Sequence, residues 1–277
     1  MITVRTLGPR DFTEAWRLST RHPVENVSIR GKISQSGLEP ALLGHDIVGA
    51  FEGRHLIGLL SSSTSLNPVE TEPVAIPAFA DWLGKVRRAG SIVGLRPSTL
   101  DLWSELSRRW PQTWRVTRDL RGHQLVLALD HDPASPVNPA VVPVQPAWAD
   151  SYYAASVAMY TEEIGLTPVE PTGGYRRHVD ELIRTGRAFG WWDGHRIVFK
   201  ADVAAASGTV CQLGGVWLSP ELRGQGRSLA ALAAVVRWCR QRWPVVSLYV
   251  NDYNQPALHL YRRLGLSPLN QFATVLY

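Results

Sequence analysis

The hydrophobic pattern of the chain is clearest between residues 216 and 250. An apolar run that begins at Val216 breaks into a glycine-rich turn. Beyond the turn, apolar residues recur at helical spacing over residues 229–243, and Pro244 forces that helix to stop. The β-branched run at residues 245–250 then reads as a short buried strand. The pattern predicts a strand, a glycine-rich turn, a helix and a second strand.

The turn, R-G-Q-G-R-S at residues 223–228, is predicted to bind an anion. Such a turn leaves backbone N–H groups unpaired at the positive end of a helix dipole, which suits a diphosphate. A P-loop would need a lysine after Gly226, and none follows. A dinucleotide fingerprint would need a third glycine where Leu229 stands and an acidic ribose-binding residue, for which only Asp252 is near. Neither of these two classes fits.

The turn resembles the acyl-CoA loop of the GNAT N-acetyltransferases, R/Q-x-x-G-x-G/A. Ser228 departs from that pattern, because the family prefers glycine or alanine there, although a serine hydroxyl can cap a helix or donate to phosphate. A second segment, N-D-Y-N-Q-P-A-L-H-L-Y-R-R-L-G at residues 251–265, resembles the GNAT pattern N-x-x-N-x-x-A-x-x-L-Y-x-x-x-G. Two motifs at this separation identify the chain as a member of the GNAT family.

The chain is predicted to hold two domains. Residues 131–146 contain five prolines and mark a stiff connector, so we place an N-terminal domain at 1–132, the connector at 133–146 and a catalytic domain at 147–277. The halves resemble each other, since G-A-F-E-G-R-H-L-I-G from Gly49 aligns without gaps to G-W-W-D-G-H-R-I-V-F from Gly190. Each reads as a hairpin.

The predicted fold class is α/β (α+β), with tandem GNAT-like domains, each a mostly antiparallel mixed sheet flanked by helices. Nothing in residues 1–135 matches R-x-x-G-x-G after an apolar strand, so the N-terminal copy is interpreted as degenerate. This organisation resembles two-domain actinobacterial GNAT proteins. We expect the N-terminal domain to help form or cover the acceptor site.

The resemblance implies that acetyl-CoA lies in an opening between the strands that end at Leu218 and Val250. Gly214 and Gly215 fit a bulge that would splay these strands and free N–H groups from the ladder. The residues implied in cofactor binding are Val216, Trp217, Leu218, Arg223, Gly224, Gln225, Gly226, Arg227, Ser228, Asn251, Asn254 and Tyr261.

Catalytic residues are assigned partly by the same resemblance. Tyr261 is the predicted general acid, because a phenol stays protonated at neutral pH and can supply a proton to a leaving thiolate. Residues 210–218 contain no carboxylate, which leaves a water relay as one option for the base. Glu162 and Glu163 are the predicted carboxylates on the acceptor side, with Asp202 a further candidate and a solvated helix end the alternative interpretation of the pair.

Aromatic residues are candidates for shaping an acceptor pocket, although strand alternation sends some of them into the core. They are Tyr152, Tyr153, Trp191, Trp192 and Trp217. Cys211 is interpreted as a small buried hydrophobe, not as a nucleophile.

Composition narrows the function classes further. The formal charge of +5 suggests nucleic acid, yet the arginines are scattered and no RNP, zinc-finger or helix-turn-helix signature occurs, which argues against it. Cys211 and Cys239 give no disulfide framework, which favours a reducing compartment. Without a signal-peptide pattern or an apolar stretch of about 20 residues, we expect a cytoplasmic protein away from the membrane. The histidines show no metal-ligand spacing, so no metal is predicted.

The predicted function is acetyl-CoA-dependent N-acetyl transfer to a primary amine by direct attack. The expected partners are acetyl-CoA as acyl donor and an amine-bearing small molecule or protein, with a homodimer left open. One alternative is a mycothiol-synthase-like enzyme that acetylates a small sugar-linked amine. Another, from a different class, is a non-catalytic acyl-CoA sensor or scaffold.

Overall fold

The computed structural model describes residues 1–169 and 171–277. The strands, in chain order, are β1 (Ile2–Thr6), β2 (Asp46–Glu52), β3 (His55–Ser62), β4 (Ser65–Val69), β5 (Ser91–Leu95), β6 (Asp119–Leu129), β7 (Val141–Pro143), β8 (Ala188–Trp192), β9 (Ile197–Ser207), β10 (Val210–Leu218), β11 (Val245–Asn251) and β12 (Ser267–Leu276). The α-helices are α1 (Phe12–Ser19), α2 (Val27–Ser36), α3 (Pro40–Leu43), α4 (Ile76–Leu83), α5 (Arg96–Arg109), α6 (Pro111–Trp114), α7 (Ala149–Ile164), α8 (Gly174–Arg184), α9 (Arg227–Arg240) and α10 (Gln255–Leu264).

Two compact units divide these elements between them. The first unit comprises Met1–Leu127, Tyr249–Asn254 and Pro268–Tyr277, and the second comprises Ala128–Leu248 and Gln255–Ser267. Nearly all of β12 therefore belongs to the first unit, although it is the last strand of the chain. The domain boundaries drawn from the proline-rich segment stay a prediction.

The sheet of the first unit runs in the order β1-β2-β3-β4-β5-β12-β6. Its β1 to β4 pairs and the β5–β12 pair are antiparallel, whereas β4 and β5 are parallel through Ser65↔Ser91 and Leu66↔Ile92. Side chains along β2 point alternately to the two faces of this sheet, so its apolar residues contribute to the core on both faces. Ile47 packs into a cluster with Leu18 of α1, while Val48 packs into a second cluster with Phe79 of α4.

The sheet of the second unit runs in the order β11-β10-β9-β8-β7. The neighbours are antiparallel except for β10 and β11, which are parallel. On one side α7 and α8 bury Tyr152 and Leu182 against Ile197, and α9 buries Leu232 and Val236. The predicted class, a mostly antiparallel mixed sheet flanked by helices, is confirmed.

Local sequence patterns fix several of these elements correctly. The helix predicted at 229–243 is α9, which begins two residues earlier and ends three residues earlier than predicted, with Gly226 in the left-handed conformation just before its first turn. The strand predicted at 245–250 is β11. Both aligned segments are hairpins, with Glu52↔His55 closing β2–β3 and Trp192↔Ile197 closing β8–β9.

The proline-rich segment packs within the second unit. Its strand β7 pairs with β8 through Val141↔Trp191, and the Val141 carbonyl accepts a hydrogen bond from the Trp238 indole at 3.2 Å. The Asn138 N–H donates to the Ala230 carbonyl at 2.9 Å. Proline is tolerated here because β7 is an edge strand. Among the described residues, no helix is long and apolar enough to cross a membrane.

Candidate functional site

The predicted bulge in β10 is confirmed. The register between β10 and β9 shifts between Gly214 and Trp217, so the two β10 residues between these positions face one residue of β9. Gly215 has φ +57°, a conformation that glycine adopts without steric cost. The pairing of β10 with β11 runs from Val210↔Val245 to Gln212↔Ser247 and ends before the bulge. Beyond Gln212, the pairing of β10 within the second unit is with β9.

A buried ion pair packs against this bulge. Lys200 and Asp202 lie two residues apart on β9, and the Lys200 Nζ is 2.6 Å from the Asp202 Oδ2. The Lys200 side chain is 1% exposed and that of Asp202 is 12% exposed. Nζ also donates to the Gly215 carbonyl at 3.2 Å. The pair therefore binds the main chain of the bulge directly.

Gly215 leaves no room for a side chain beside this pair. A Cβ at that position would lie 2.4 Å from the Asp202 Oδ2 and 2.7 Å from the Lys200 Nζ. It would also lie 3.2 Å from the Met159 sulfur. The positive φ and the close approach both require glycine, so the ion pair can pack against the bulge because position 215 has no side chain.

Tyr152 of α7 completes the buried network. It is fully buried, and its hydroxyl donates to Asp202 Oδ1 and lies 3.2 Å from the Ala201 carbonyl. Burial raises the pKa of this phenol well above its usual value, and the neighbouring Asp202 raises it further. The phenol is therefore a permanent donor that orients Asp202 toward Lys200. Tyr152 lies in the core, where it cannot contact substrate.

The predicted diphosphate turn joins β10 to α9. Gly224 and Gly226 have φ +72° and +73°, and no atom lies within 4 Å of where a Cβ would stand on either. Gly226 stands at the N-cap of α9 and has no side chain to cap it, so the N-cap residue leaves the first N–H groups of the helix without a side-chain acceptor. Gln225 folds back, its Nε2 donating to the Glu221 carbonyl at 2.8 Å.

Two other predicted residues of the turn lie beside it. Arg227 is exposed, and its guanidinium stands 6.0 Å from the centre of the Trp191 ring. Ser228 is half-buried in the first turn of α9. The turn thus presents main-chain N–H donors, the exposed guanidinium of Arg227 and the hydroxyl of Ser228 within a short stretch of chain.

Arg223 and Glu162 bind each other. The two terminal guanidinium nitrogens of Arg223 donate to the Glu162 carboxylate, Nη1 to Oε1 and Nη2 to Oε2 at 2.9 Å. The Trp217 indole N–H also donates to Oε2 at 2.9 Å, and Arg223 Nε donates to the Leu218 carbonyl at 2.8 Å. Arg223, followed by the indole hydrogen bond, lowers the pKa of Glu162 against the opposing effect of partial burial. An ionised carboxylate held this way is a poor proton acceptor.

Tyr261 and Glu163 form a different pair. Tyr261 on α10 is 7% exposed, while Glu163 at the end of α7 is exposed. Burial raises the pKa of Tyr261 to about 12, and the negative charge of Glu163 adds to the shift. The phenol is therefore protonated throughout the neutral range. The structure therefore places a protonated phenol within the electrostatic influence of a carboxylate in the second unit.

Asn251 and Asn254, also predicted to bind cofactor, lie in the first unit. The Asn251 side-chain oxygen accepts from Gln124 Nε2 at 2.9 Å, and Gln124 accepts from the Thr274 hydroxyl at 2.6 Å. The Asn254 N–H donates to the Asn251 carbonyl at 3.0 Å, which forms the turn that follows β11. Their contacts in this unit hold a turn and three strands together.

Sequence reasoning missed Lys200 altogether. The available signal was the alternation K-A-D within an apolar strand, which places Lys200 and Asp202 on the same face and inside a core. Cys211 and Cys239, by contrast, are buried free thiols that hydrogen-bond each other, an arrangement that raises the pKa of Cys239 far above its usual range. Such thiols are unreactive, in keeping with a packing role.

Comparison with known proteins identifies the class. Residues 145–266 match the acetyltransferase (GNAT) family, and residues 45–152 match a domain of unknown function, DUF4081. No curated protein matches the chain. The GNAT match is therefore to residues 145–266, which lie within the second half of the chain.

Solved structures similar to this chain cover nearly all of it. A GNAT-family acetyltransferase from Colwellia psychrerythraea has a TM-score of 0.60 at 12% identity, covering 99% of each chain. A Drosophila protein has a TM-score of 0.69 at 14% identity, covering 99% of this chain and 98% of its own. A tandem GNAT protein from the clavulanic acid biosynthesis pathway has a TM-score of 0.60 at 14% identity, with the same coverage. The fold is that of two GNAT-like domains in tandem.

Gly215→Ala should lower the free energy of unfolding by about 2 kcal/mol or more, because it adds left-handed strain and forces a methyl group into the ion pair. Urea unfolding followed by tryptophan fluorescence measures the change. Gly122→Ala is the matched control, since no atom lies within 4 Å of its Cβ position, and it should change stability by less than about 0.5 kcal/mol. Equal stability of the two variants would show that the bulge does not need glycine.

Lys200→Met should destabilise the protein by roughly 3–5 kcal/mol, because it leaves the Asp202 carboxylate buried without its cation. Adding Asp202→Leu should recover most of the loss, since an apolar pair needs no compensation. Chemical denaturation of the two single variants and the double variant gives the coupling between the residues.

The control for the ion pair is Arg184→Met, which breaks the exposed pair with Glu181 and should leave stability unchanged within measurement. Additive effects in the Lys200 and Asp202 cycle would mean that the two charges do not stabilise each other.

Proposed function

We propose that the second unit transfers the acetyl group of acetyl-CoA to a primary amine by direct attack. The observation that carries the proposal is the continuity of three features along one segment: the bulged β10, the turn with two left-handed glycines and the uncapped start of α9. The GNAT fold supports acyl transfer in general. The donor, the acceptor class and the residue roles are our proposal.

The turn fits the diphosphate of coenzyme A. Residues 224–228 combine outward main-chain N–H groups with a helix N-terminus, and the open space around both glycines allows phosphate oxygens to approach the backbone closely. Arg227 supplies a charge whose guanidinium is not bound to a carboxylate among the ion pairs of the described residues. The Ser228 hydroxyl is a further donor. Bound acetyl-CoA would supply its acetyl group as an activated thioester.

The main chain of β10 is proposed to orient the acyl donor. Val216 lies in the bulge and Trp217 and Leu218 follow it, in a part of β10 where the ladder with β11 has already ended. Their N–H and C=O groups are suited to hold the pantetheine amides, and an N–H at the bulge would polarise a carbonyl oxygen. Lys200 and Asp202 act as positioning residues, because they are buried and contact the main chain of the bulge.

Tyr261 is proposed as the general acid and Glu163 as the carboxylate that accepts the amine proton through water. Tyr261 holds its proton at Oη up to about pH 12, so it can donate to a leaving sulfur anion at neutral and mildly alkaline pH. Glu163 is exposed and close enough to influence Tyr261. Glu162 is the weaker candidate for this base, because hydrogen bonds from Arg223 and Trp217 stabilise its anion and so reduce its affinity for a proton.

The sensor or scaffold alternative keeps one supporting observation. The Glu162–Arg223 pair uses a carboxylate and a cation that an enzyme of this class could otherwise direct at its substrates. Incubating the protein with acetyl-CoA and a panel of primary amines, sugar-linked amines included, while following free thiol separates the two functions. Thermal stabilisation by acetyl-CoA with no thiol release on any amine would favour the sensor.

The free, buried thiols of Cys211 and Cys239 suit a reducing compartment such as the cytoplasm.

Tyr261→Phe should lower the rate of acetyl transfer on the order of 100-fold, because it removes the proton donor while keeping the ring. The Kd for acetyl-CoA should stay within about twofold, since the backbone contacts are untouched. Stopped-flow thiol detection and isothermal titration measure the two quantities. Tyr253→Phe, at a 64% exposed tyrosine, should leave both unchanged. Unaltered turnover in Tyr261→Phe would remove this residue from the mechanism.

Gly226→Asp should weaken acetyl-CoA binding by at least about 10-fold, because a carboxylate placed there repels the diphosphate. Gly226→Asn is the matched control: it has the same shape, also tolerates positive φ and carries no charge, so it should lose much less affinity. Titration calorimetry at constant ionic strength compares them. Equal affinities for acetyl-CoA would indicate that the diphosphate lies elsewhere.

A further inference from the structure

The first unit contains a polar cavity that the acyl-transfer proposal does not use. Its volume is about 240 Å³, and it lies between α2, the β3–β4 hairpin and β5. The polar residues that line it are Ser28, Lys32, Ser61, Ser63, Thr64, Ser65 and Asn67. None of the described residues that line it carries a carboxylate. Hydroxyl groups around a single ammonium make a surface that is complementary to an oxyanion.

Lys32 is the positive charge of this cavity. It is half-buried on α2, and its ammonium has no ion-pair partner among the described residues. Burial lowers the pKa of the ammonium, because the surroundings do not offset the lost hydration. A cation in this state gains more from a bound anion than an exposed lysine would.

A histidine stands behind the lining. The Ser61 hydroxyl is 3.2 Å from the His45 Nε2, and the Leu43 backbone provides the other hydrogen bond to this ring. Burial, followed by the positive charge of Lys32, lowers the pKa of His45, while the Leu43 hydrogen bond and Asp46 oppose the shift. When His45 is protonated, Nε2 donates to Ser61, and the serine proton is then free to point into the cavity. Ser61 thus links His45 to any ligand there.

We propose that this cavity of the first unit binds a small organic anion, with a phosphate or carboxylate group held by Lys32 and the surrounding serine hydroxyls. The volume exceeds what a bare phosphate fills, so the ligand carries a short polar skeleton as well. Asn67 can both donate to and accept from hydroxyls on that skeleton. The site is independent of acetyl transfer, because it uses other residues in the other compact unit.

The first test uses inorganic phosphate as the probe, titrated by calorimetry into the full chain at constant ionic strength. All variants carry Gly226→Asp as well, so that the proposed diphosphate turn does not contribute to the signal. Phosphate should bind, and Lys32→Met should weaken its binding by about 10-fold or more, because the ammonium of the lining is lost. Lys85→Met, at an exposed lysine of the same unit, should have no effect, and Lys32→Arg should keep most of the affinity.

The second test reads the site itself. The ring proton resonances of His45, assigned with His45→Gln, report its pKa with and without phosphate. A bound anion should raise that pKa, and Lys32→Met should raise it in the free protein and abolish the further rise with phosphate. Glycerol phosphate and acetate, titrated in parallel, distinguish a phosphate ligand from a carboxylate.

Two results would overturn the proposal. The first is phosphate binding that Lys32→Met does not weaken. The second is a His45 pKa that stays the same when phosphate saturates the protein. Neither outcome bears on acetyl transfer, which is measured separately in the protein without Gly226→Asp.

Discussion

The contact between Gly215 and the Lys200–Asp202 pair is the constraint on which the second unit depends. A bulge in the middle of a sheet leaves main-chain groups unpaired, and here a buried ammonium satisfies the Gly215 carbonyl at 3.2 Å. The ammonium is in turn neutralised by Asp202, which Tyr152 orients from α7. A buried ion pair is weak evidence of net stability, because desolvation offsets attraction. Its role here is geometric, because it fixes the β10 bulge just beyond the point where the pairing of β10 with β11 ends. That bulge is where we propose that the acyl donor lies.

The two units share a topology but differ in what they do with it. Each contains one parallel pair in an otherwise mostly antiparallel sheet, β4–β5 in the first and β10–β11 in the second. In the second unit a glycine bulge and a glycine-rich turn follow the start of that pair. In the first unit the chain passes from β4 to α4 through residues 70–75, which include Glu70 and Pro73 but no glycine. This connection lacks the glycine-rich turn that would let a diphosphate approach the main chain closely, so the ligand site that we propose in this unit relies on side chains such as Lys32.

Local elements could be predicted from the sequence because their signals are local. Helical spacing, Pro244 and the β-branched run located α9 and β11, and the paired glycines located the bulge. The interactions within the site could not be predicted in the same way. Glu162 and Arg223 are 61 residues apart, and nothing in either segment indicates that they bind each other. Likewise, β12 joins the first unit through pairing with β5, a choice that depends on which strand edge is left open and not on the sequence of β12.

The Glu162–Arg223 pair also limits how the turn can attract an anion. Arg223 looks from sequence like the charge that would meet a phosphate, yet its guanidinium is already bound to a carboxylate and to the Leu218 carbonyl. The side-chain charge at that position is therefore largely cancelled. What remains for the diphosphate is the partial charge of the α9 N-terminus, the N–H groups of the turn and the guanidinium of Arg227. Recognition through the main chain depends on backbone conformation more than on side-chain identity, so in the proposed site we expect Gly224 and Gly226 to matter more than the arginine that begins the motif.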